Sequence, residues 1–227
     1  MDNQSPLQTR SQGGTKRGTA IRRSGRITAQ RLVHTARDML TTENLERFTM
    51  RAVADRAGVG LANLQYYFPT RKDLARALYL DVGERYEAAY AACLAKAPEE
   101  PLARLTAVLR WNMEDISQRS TQRFFIQLWA LLGSLDDFEG DYIRELYAID
   151  IGQLSAHIRA LRPELSAIEI RQRATLIAAL TEGLLLLIRD TDNDTGRRQA
   201  LLEACVQAAL AIATGTDPTT NPTQESA

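Results

Sequence analysis

The stretch of sequence that most constrains the fold runs from Thr49 to Leu74. It contains two short helical patterns on either side of a tight turn at Gly58, where a chain that leaves a helix needs a positive φ angle. In the second pattern Leu61, Leu64 and Phe68 fall on one face, which predicts a buried stripe. The other face carries amide and phenol side chains, an arrangement typical of the second helix of a helix-turn-helix motif.

Side chains that could read DNA bases lie on this second face. Asn63 and Gln65 are amides, which can form two hydrogen bonds to adenine in the major groove. Tyr66 can contact a thymine methyl group or a sugar. Arg71 and Lys72 open the next helix, where basic side chains and free backbone N–H groups can meet one phosphate. The alternative is that Gln65 or Tyr66 only packs against that next helix.

The same stretch resembles the TetR family of bacterial transcription regulators. The resemblance covers about residues 26–80, and it is carried by Thr49, Ala54, Gly58, Val59, Leu64, Tyr67, Phe68, Pro69 and the basic residue that follows. It implies that Tyr67 hydrogen-bonds a phosphate and that Arg51 reaches a base or a phosphate. Gly60 and Gln65 depart from the family pattern, which usually has Ser and Tyr there. The predicted DNA-contacting residues are therefore Thr49, Arg51, Asn63, Gln65, Tyr66, Tyr67, Arg71 and Lys72.

Charge is distributed unevenly along a chain whose net charge is zero. Residues 1–80 contain 14 Lys or Arg and 6 Asp or Glu, a net charge of +8, so the remaining residues carry −8. A basic end is expected where a protein meets a polyanion such as DNA. Residues 1–25 are polar and basic with almost nothing apolar to bury, which predicts a disordered arm. This arm could follow phosphates or a minor groove, or it could be a solubilising tail.

Several classes of protein are disfavoured by the composition. No apolar run is long enough to span a bilayer, and the N-terminus shows no apolar signal region, so we expect a cytoplasmic protein with no membrane partner. Cys93 and Cys205 stand apart in the sequence, which indicates free thiols in a reducing compartment. The sequence shows no Ser–His–Asp set, metal cluster or glycine-rich phosphate loop. It therefore predicts no enzyme activity, no catalytic residues, no metal site and no cofactor.

Helical periodicity recurs along the chain and no run alternates with a period of two, so the sequence predicts an all-α fold of about nine helices. We expect an N-terminal three-helix DNA-binding domain at residues 26–80, with its helix-turn-helix at about 47–67. A helical ligand-binding and dimerisation domain should follow at residues 81–213, and a disordered tail at 214–227.

The ends of several helices are marked by capping residues. Thr49 is a natural N-cap, and the pairs Thr70–Asp73 and Ser166–Glu169 predict capping boxes at the starts of the fourth and eighth helices. The eighth helix should reach residue 188 or 189. Other helices are predicted at residues 26–40, 61–67, 102–117, 121–135, 141–161 and 197–213.

Aromatic side chains in the second domain could line a cavity. Apolar walls with a few polar groups are typical of small-molecule sites, although the same residues could form an ordinary helical core. The resemblance to the TetR family implies a cavity that binds an inducer, here an unknown small-molecule effector. The candidate lining residues are Trp111, Met113, Phe125, Trp129 and Tyr147.

The eighth and ninth helices carry broad apolar stripes that contain small residues. One remaining domain of this size is too small to cover both stripes. The resemblance implies a four-helix bundle formed by two copies of the chain, and the alternative is an ordinary monomer core. The predicted interface residues are Leu176, Leu180, Gly183, Leu184, Leu187, Leu201, Cys205 and Ala208.

Together these features predict a ligand-responsive transcriptional regulator. We expect a repressor that binds a pseudo-palindromic DNA operator as a homodimer, with double-stranded DNA, a second copy of the chain and the effector as its partners. The alternative is an enzyme, or a scaffold without a ligand, fused to a DNA-binding head.

Overall fold

The computed structural model describes residues 14–135, 141–188 and 194–216, and all nine long elements in these ranges are α-helices. Within the described ranges there is no strand, which confirms the predicted all-α class. One short 3-10 turn spans Leu45–Arg47. The helices are α1 (Gly14–Thr42), α2 (Met50–Arg56), α3 (Leu61–Tyr67), α4 (Arg71–Leu94), α5 (Pro101–Ile116), α6 (Arg119–Gly133), α7 (Asp141–Leu161), α8 (Ala167–Leu187) and α9 (Thr195–Thr214).

The N-terminal head is formed by α1, α2 and α3, with the start of α4 packed against them. Thr49 caps α2 as predicted, since its hydroxyl accepts a hydrogen bond from the Ala52 amide at 3.1 Å. Gly58 has a φ of 67° and makes the turn between α2 and α3. Val53 and Leu64 are completely buried between these helices. The apolar faces predicted from the sequence therefore form the core of the head.

The first helix is longer than the sequence predicts. It begins at Gly14, so residues 14–25 of the predicted disordered arm are helical, while residues 1–13 lie outside the described ranges. The prediction of disorder depends on the lack of apolar surface to bury in this segment. A segment that continues an existing helix avoids the cost of nucleation, so it can be helical without a core of its own.

Helix α4 connects the head to the C-terminal body. The predicted Thr70–Asp73 capping box is present, with the Asp73 amide donating to the Thr70 hydroxyl at 3.1 Å and the Thr70 amide donating to the Asp73 carboxylate at 2.9 Å. Leu74 and Leu78 are fully buried against the head, and Tyr90 further along the helix is buried in the body. One helix thus has side chains in both parts of the molecule.

The helices of the body follow the predicted order, and their ends differ from the predicted ones by at most two residues, with α7 matching at both ends. The helix α5 begins with Pro101, and the Glu100 side chain accepts hydrogen bonds from the amides of Leu102 and Ala103 at 2.9 and 2.7 Å. The Ser166–Glu169 capping box at the start of α8 is present. The predicted tail at 214–227 overlaps the end of α9 at Thr214, and residues 217–227 lie outside the described ranges.

The last helix of the body ends at a left-handed residue. Gly215 has a φ of 77°, and its amide donates to the Ala211 carbonyl at 2.8 Å. A Cβ atom at this position would lie 2.8 Å from the Arg173 guanidinium, which itself donates to the Ile212 carbonyl at 2.7 Å. The positive φ angle therefore favours glycine here, and a larger residue would also have to displace the guanidinium of Arg173.

Polar contacts and a continuous core join the head to the body. From α6, the Gln127 side-chain amide donates to the Leu40 carbonyl at 3.0 Å and also to the Glu43 carbonyl, at the C-terminal end of α1. Arg37 on α1 forms an ion pair with Asp81 on α4 at 2.9 Å. A single cluster of buried apolar side chains runs through both parts. Among the described residues, every helix is too short or too polar to cross a membrane.

Candidate DNA interface and body cavity

Helix α3 presents one face to the core and the other to solvent. Leu64 is completely buried, whereas the next-but-one residue Tyr66 is 80% exposed. Asn63 and Gln65 are also exposed. Since neither Gln65 nor Tyr66 is covered by α4, the alternative that these two side chains only pack against it does not hold. Their amide and phenol groups are available for contacts outside the chain.

Tyr67 differs from its exposed neighbours because it is half-buried. Its ring packs at right angles to that of Tyr66, with 5.1 Å between the ring centres. The edge of the Tyr67 ring also faces α1, since a Cβ atom at Gly25 would lie 3.8 Å from the Tyr67 hydroxyl. The tyrosine is therefore held in place by two helices of the head.

The basic residues at the start of α4 flank α3. Arg71 lies over the ring of Phe48, with 6.0 Å from its guanidinium carbon to the ring centre, and its Nε is buried without a hydrogen-bond partner. Lys72 is half-buried. Arg51 is exposed at the first turn of α2. The hydroxyl oxygen of Thr49 accepts the capping hydrogen bond, and its O–H group can still donate a hydrogen bond to another acceptor. The eight predicted DNA-contacting residues thus lie at the start of α2, on α3 and at the start of α4.

A cavity lies in the body between α4, α5, α6, α7 and α8. Its walls are largely aromatic, with Phe125 and Trp129 ring centres 5.5 Å apart, Trp129 and Tyr147 6.0 Å apart, and Tyr86 and Phe125 5.8 Å apart. Its mouth lies beside exposed Glu87 and Ile149. Further lining residues include Tyr90, Asn112, Asp150, Gln153, Thr181 and Glu182.

Each tyrosine on the cavity wall is hydrogen-bonded to a carboxylate. The Tyr86 hydroxyl donates to Asp115 at 2.6 Å, and the Tyr90 hydroxyl donates to Asp150 at 3.3 Å. The Tyr147 hydroxyl donates to Glu182. Burial and these carboxylates raise the pKa of all three phenols well above the usual value, so the phenols remain neutral donors.

Two of these carboxyl groups are themselves perturbed by burial. Desolvation raises the pKa of Asp150, and the hydrogen bond from Tyr90 only partly offsets this effect. Desolvation likewise raises the pKa of Glu182, the charge of Asp150 raises it further, and the hydrogen bond from Tyr147 opposes both. The cavity therefore combines apolar walls with two acidic groups whose ionised forms are disfavoured.

Three of the five predicted cavity residues line this cavity, namely Phe125, Trp129 and Tyr147. Trp111 lies behind its wall, packed edge-on against Tyr86 and Tyr90 with ring centres 5.6 and 5.3 Å apart. Met113 does not line it, because its side chain is only 1% exposed in the helical core, and the prediction for Met113 is wrong in this respect.

The sequence reasoning missed the polar part of the wall. Tyr86 and Tyr90 are spaced by four residues on α4, a signal that could have been used. The pairing of Asp150 on α7 with Glu182 on α8 depends on how two distant helices pack, and the sequence carries no local signal for it. In the part of the chain that the structure describes, no group of three or more His, Cys, Asp or Glu side chains could hold a metal ion.

The predicted dimer residues divide into exposed and buried groups. Leu176 and Leu187 on α8 are 56% and 69% exposed, and a Cβ atom at Gly183 would meet no atom within 4 Å. Leu184 and Cys205, in contrast, are only 4% and 8% exposed inside this chain. Those two residues belong to the chain's own core, which corrects their assignment to an interface. Leu180, Leu201 and Ala208 are half-buried.

Helices α2 and α3, their exposed polar face and the helical body behind them define a helix-turn-helix DNA-binding protein. Residues 32–78 match the family described as bacterial regulatory proteins, tetR family. The predicted resemblance is confirmed: the chain has the helix-turn-helix domain and the all-α fold of TetR-family transcriptional regulators. No curated protein matches the sequence.

Solved structures share the fold over most of the chain. A protein from Pseudomonas aeruginosa PAO1 described as a transcriptional regulator is 20% identical, with a TM-score of 0.67 over 82% of this chain and 92% of that one. A Rhodococcus sp. protein described as a TetR-family regulator is 17% identical, with a TM-score of 0.62 over 81% and 98% of the two chains.

A third similar structure contains a small molecule. It is a Saccharomonospora viridis protein described as a transcriptional regulator and solved in complex with choline. It is 17% identical, with a TM-score of 0.60 over 80% of this chain and 92% of that one. At these identities the similarity concerns the fold.

Proposed function

We propose that this protein is a ligand-responsive repressor that binds a pseudo-palindromic operator as a homodimer. In this proposal two copies of α3 enter successive major grooves about 34 to 36 Å apart, one helical turn of DNA. A small molecule in the body cavity changes the fit of the two heads to those grooves. The protein acts in the cytoplasm, where bacterial DNA is found.

The observation that carries the proposal is the exposed face of α3. Asn63, Gln65 and Tyr66 extend from a helix whose other face is fixed by the completely buried Leu64. A rigid helix that presents amides to solvent beside Arg51 and Lys72 suits the major groove, where amides read bases and basic groups contact phosphates. An enzyme site or a scaffold surface would not need this combination.

The exposed apolar residues of α8 support the dimer. Ile168, Leu176, Leu186 and Leu187 are 72%, 56%, 58% and 69% exposed, although they lie on a helix whose other face is buried. Exposed apolar side chains on one helix face are expected at a protein interface, and a two-fold axis would bring the faces of two copies together. Gly183 would allow the two helices to approach closely.

The ligand response is supported by the connections between the cavity and the head. Phe125 and Trp129 line the cavity from α6, and Gln127 on the same helix donates to carbonyls at the end of α1. Tyr86 and Tyr90 line it from α4, which continues into the head. A ligand that favours one arrangement of α4 and α6 would therefore change the population of head positions.

The proposal is tested by selecting genomic DNA fragments that bind the purified protein. We expect recovered fragments to share a pseudo-palindrome with half-sites about 10 to 10.5 base pairs apart, or a multiple of this spacing. A reporter gene behind the recovered sequence should be repressed when the protein is present. Recovery of fragments with no shared sequence would contradict operator binding. Increased expression of the reporter gene in the presence of the protein would contradict repression.

A further inference from the structure

The cavity in the body has an excess of acidic groups. Asp150, Glu182 and Glu87 are on its lining, and none of the lining residues that the structure describes is Lys, Arg or His. Glu87 is exposed at the mouth, whereas the other two carboxyl groups lie deeper, between α7 and α8. The described wall therefore holds no positive charge that could balance these groups when they are ionised.

Other carboxylates of this chain are paired with arginine. Asp81 pairs with Arg37 at 2.9 Å, Glu203 pairs with Arg110 at 2.6 Å, and Glu43 pairs with Arg56. These pairs lie outside the cavity. Asp150 and Glu182 differ because their protein partners are neutral phenols. Such groups are costly to bury as ions, and an opposite charge in the same cavity would remove much of that cost.

The hydrogen bonds inside the cavity leave the carboxylates able to bind a ligand. The Tyr90 hydroxyl donates to only one oxygen of Asp150. An ionised carboxylate has two oxygens and about four acceptor positions, so most of the acceptor capacity of Asp150 is unused. The same holds for Glu182 with its one phenol donor.

The remaining walls suit the body of an organic cation. Phe125, Trp129 and Tyr147 form a run of adjacent rings, and Tyr86 meets this run at Phe125. Aromatic faces attract ammonium groups through their quadrupole, most strongly when water is excluded, and they also cover apolar substituents. An anion would meet two carboxylates here, and a neutral apolar molecule would bring no charge to balance them.

We propose that the cavity binds an organic cation, an amine or quaternary ammonium with apolar or aromatic substituents, whose charge lies near Asp150 and Glu182 and whose substituents pack on Trp129 and its neighbouring rings. That this cation is the effector rests on the proposed function. The binding chemistry of the cavity does not depend on it.

Three probes of one shape test the choice of charge. They are (4-hydroxymethylphenyl)trimethylammonium, the neutral 4-tert-butylbenzyl alcohol and the anionic 4-tert-butylbenzoate. The full chain has two tryptophans, and Trp111→Phe leaves Trp129 as the single tryptophan reporter, located in the cavity. We expect the cation to quench Trp129 and to bind about 30-fold or more tightly than the neutral alcohol, with the anion weaker still.

Carboxamide variants test the two acidic residues. Asp150→Asn and Glu182→Gln keep the size of each side chain and remove its charge, so each should weaken cation binding about tenfold or more and leave binding of the neutral alcohol unchanged. Glu84→Gln is the matched control, because Glu84 is exposed on α4 and is not part of the cavity lining. Thermal unfolding of each variant checks that the fold is intact.

The proposal is overturned if the cation shows no binding at millimolar concentration, if the neutral alcohol binds as tightly, or if both carboxamide variants bind the cation as the unchanged chain does. The selected operator separates this result from the proposed function. A cation that binds as expected but leaves operator affinity unchanged supports the cavity chemistry and contradicts the ligand response. Release of the operator by the alcohol or the benzoate alone supports the ligand response and overturns the cation proposal.

Discussion

At the scale of single residues, the head separates structural from reading roles within one short helix. Leu64 is completely buried, Tyr67 is half-buried against α1, and Tyr66 is 80% exposed. Because the buried side chains fix the orientation of α3, the exposed ones project from a rigid support. A rigid support matters for reading bases, since the contacts depend on accurate placement of each donor and acceptor.

The residues of the head should divide into two groups when DNA binding is measured. Asn63→Ala and Gln65→Ala should each cost about 1 to 3 kcal/mol at particular base pairs and relax specificity there. Tyr67→Phe and Lys72→Ala should weaken binding to all sequences alike, because phosphates are the same at every position. Affinities for a panel of operator variants distinguish these outcomes. A uniform loss for all four variants would mean that the division into base and phosphate contacts is wrong.

The carboxyl groups of the cavity should reduce stability as pH rises. Their folded-state pKa values are raised, so the folded protein holds protons that the unfolded chain releases, and stability falls as pH rises from the ordinary carboxyl range through the raised values. Asp150→Asn and Glu182→Gln should therefore raise the melting temperature at neutral pH and have little effect at acidic pH. The titratable groups that face these two residues are Tyr86, Glu87, Tyr90 and Tyr147.

Melting curves at several pH values check this expectation, with Glu84→Gln as the exposed control. A lower melting temperature for both carboxamide variants at neutral pH would show that the ionised groups stabilise the empty protein, which is the opposite of the expected direction.

The residues of the cavity show where sequence reasoning succeeds and where it stops. Phe125 and Trp129 lie four residues apart on one helix, so periodicity alone predicts that they share a face. Met113 looks equally suitable in the sequence, but its side chain points into the core. Asp150 and Glu182 face each other only because α7 packs on α8, and no local pattern encodes that contact. The acidic character of the cavity is therefore visible only after folding.

At the scale of helices, α6 connects the cavity to the head. Trp129 lines the cavity, and two residues earlier Gln127 donates to the carbonyls of Leu40 and Glu43 at the end of α1. Arg123, one turn before Gln127, donates to the Asn44 side chain at 3.1 Å. A movement of α6 that accompanies ligand binding would thus be transmitted to the last turn of α1 and the loop that follows.

Removal of the Gln127 hydrogen bonds should weaken the communication between the two sites. Gln127→Ala should preserve ligand binding and operator binding measured separately, while reducing the change in operator affinity caused by ligand. Gln207→Ala is a suitable control, because Gln207 is exposed on α9. Operator titrations with and without a bound ligand provide the measurement. An unchanged ligand effect in Gln127→Ala would exclude this helix as the connection.

The starts of the helices show that capping residues predict a helix boundary better than polar composition does. The Thr70–Asp73 and Ser166–Glu169 boxes predict the starts of α4 and α8 correctly, because each depends on side chains three residues apart. The start of α1 carries no such signal, and its polar composition predicts a disordered arm where the structure has helix. Helix extension from a packed segment depends on the energy of propagation, which sequence polarity does not reveal.

The basic segment that extends α1 should contribute to DNA affinity through charge. Deleting residues 1–24 removes Arg10, Lys16, Arg17, Arg22 and Arg23, and the slope of log K against log salt should flatten by up to about 0.9 for each phosphate that these side chains neutralise. Deleting residues 1–13 removes only Arg10 from this set and tests the helical part separately. The salt dependence of binding to the selected operator is the measurement. Equal slopes for all three proteins would leave the segment as a solubilising tail.

At the scale of the whole molecule, the solvent exposure of the apolar side chains on α8 shows which of them stabilise the single chain and which could contact a second copy. The sequence predicts that Leu176, Leu184 and Leu187 share one apolar stripe of α8. In the structure Leu184 is 4% exposed and the other two are more than half exposed. A charge at Leu184 would therefore unfold the chain itself and would give no information about a dimer.

The dimer is best tested at the exposed leucines. Leu176→Glu and Leu187→Glu should leave the single chain folded, because both side chains already face solvent, but should place a charge in the interface twice through the two-fold axis. We expect the unchanged protein to sediment at about twice its chain mass of 25.3 kDa. The two variants should sediment at one chain mass, and operator affinity should fall towards the non-specific level.

Leu80→Glu is the matched control for this experiment, because Leu80 is 51% exposed on α4, away from α8. It should remain dimeric if the exposed face of α8 is the interface. A protein that sediments at one chain mass while binding a palindromic operator tightly would contradict the dimer. Dissociation of Leu80→Glu with retention of dimer in both α8 variants would instead locate the interface on α4. If only the α8 variants lose the dimer and the operator affinity, the exposed face of α8 is the interface that lets two copies bind successive major grooves.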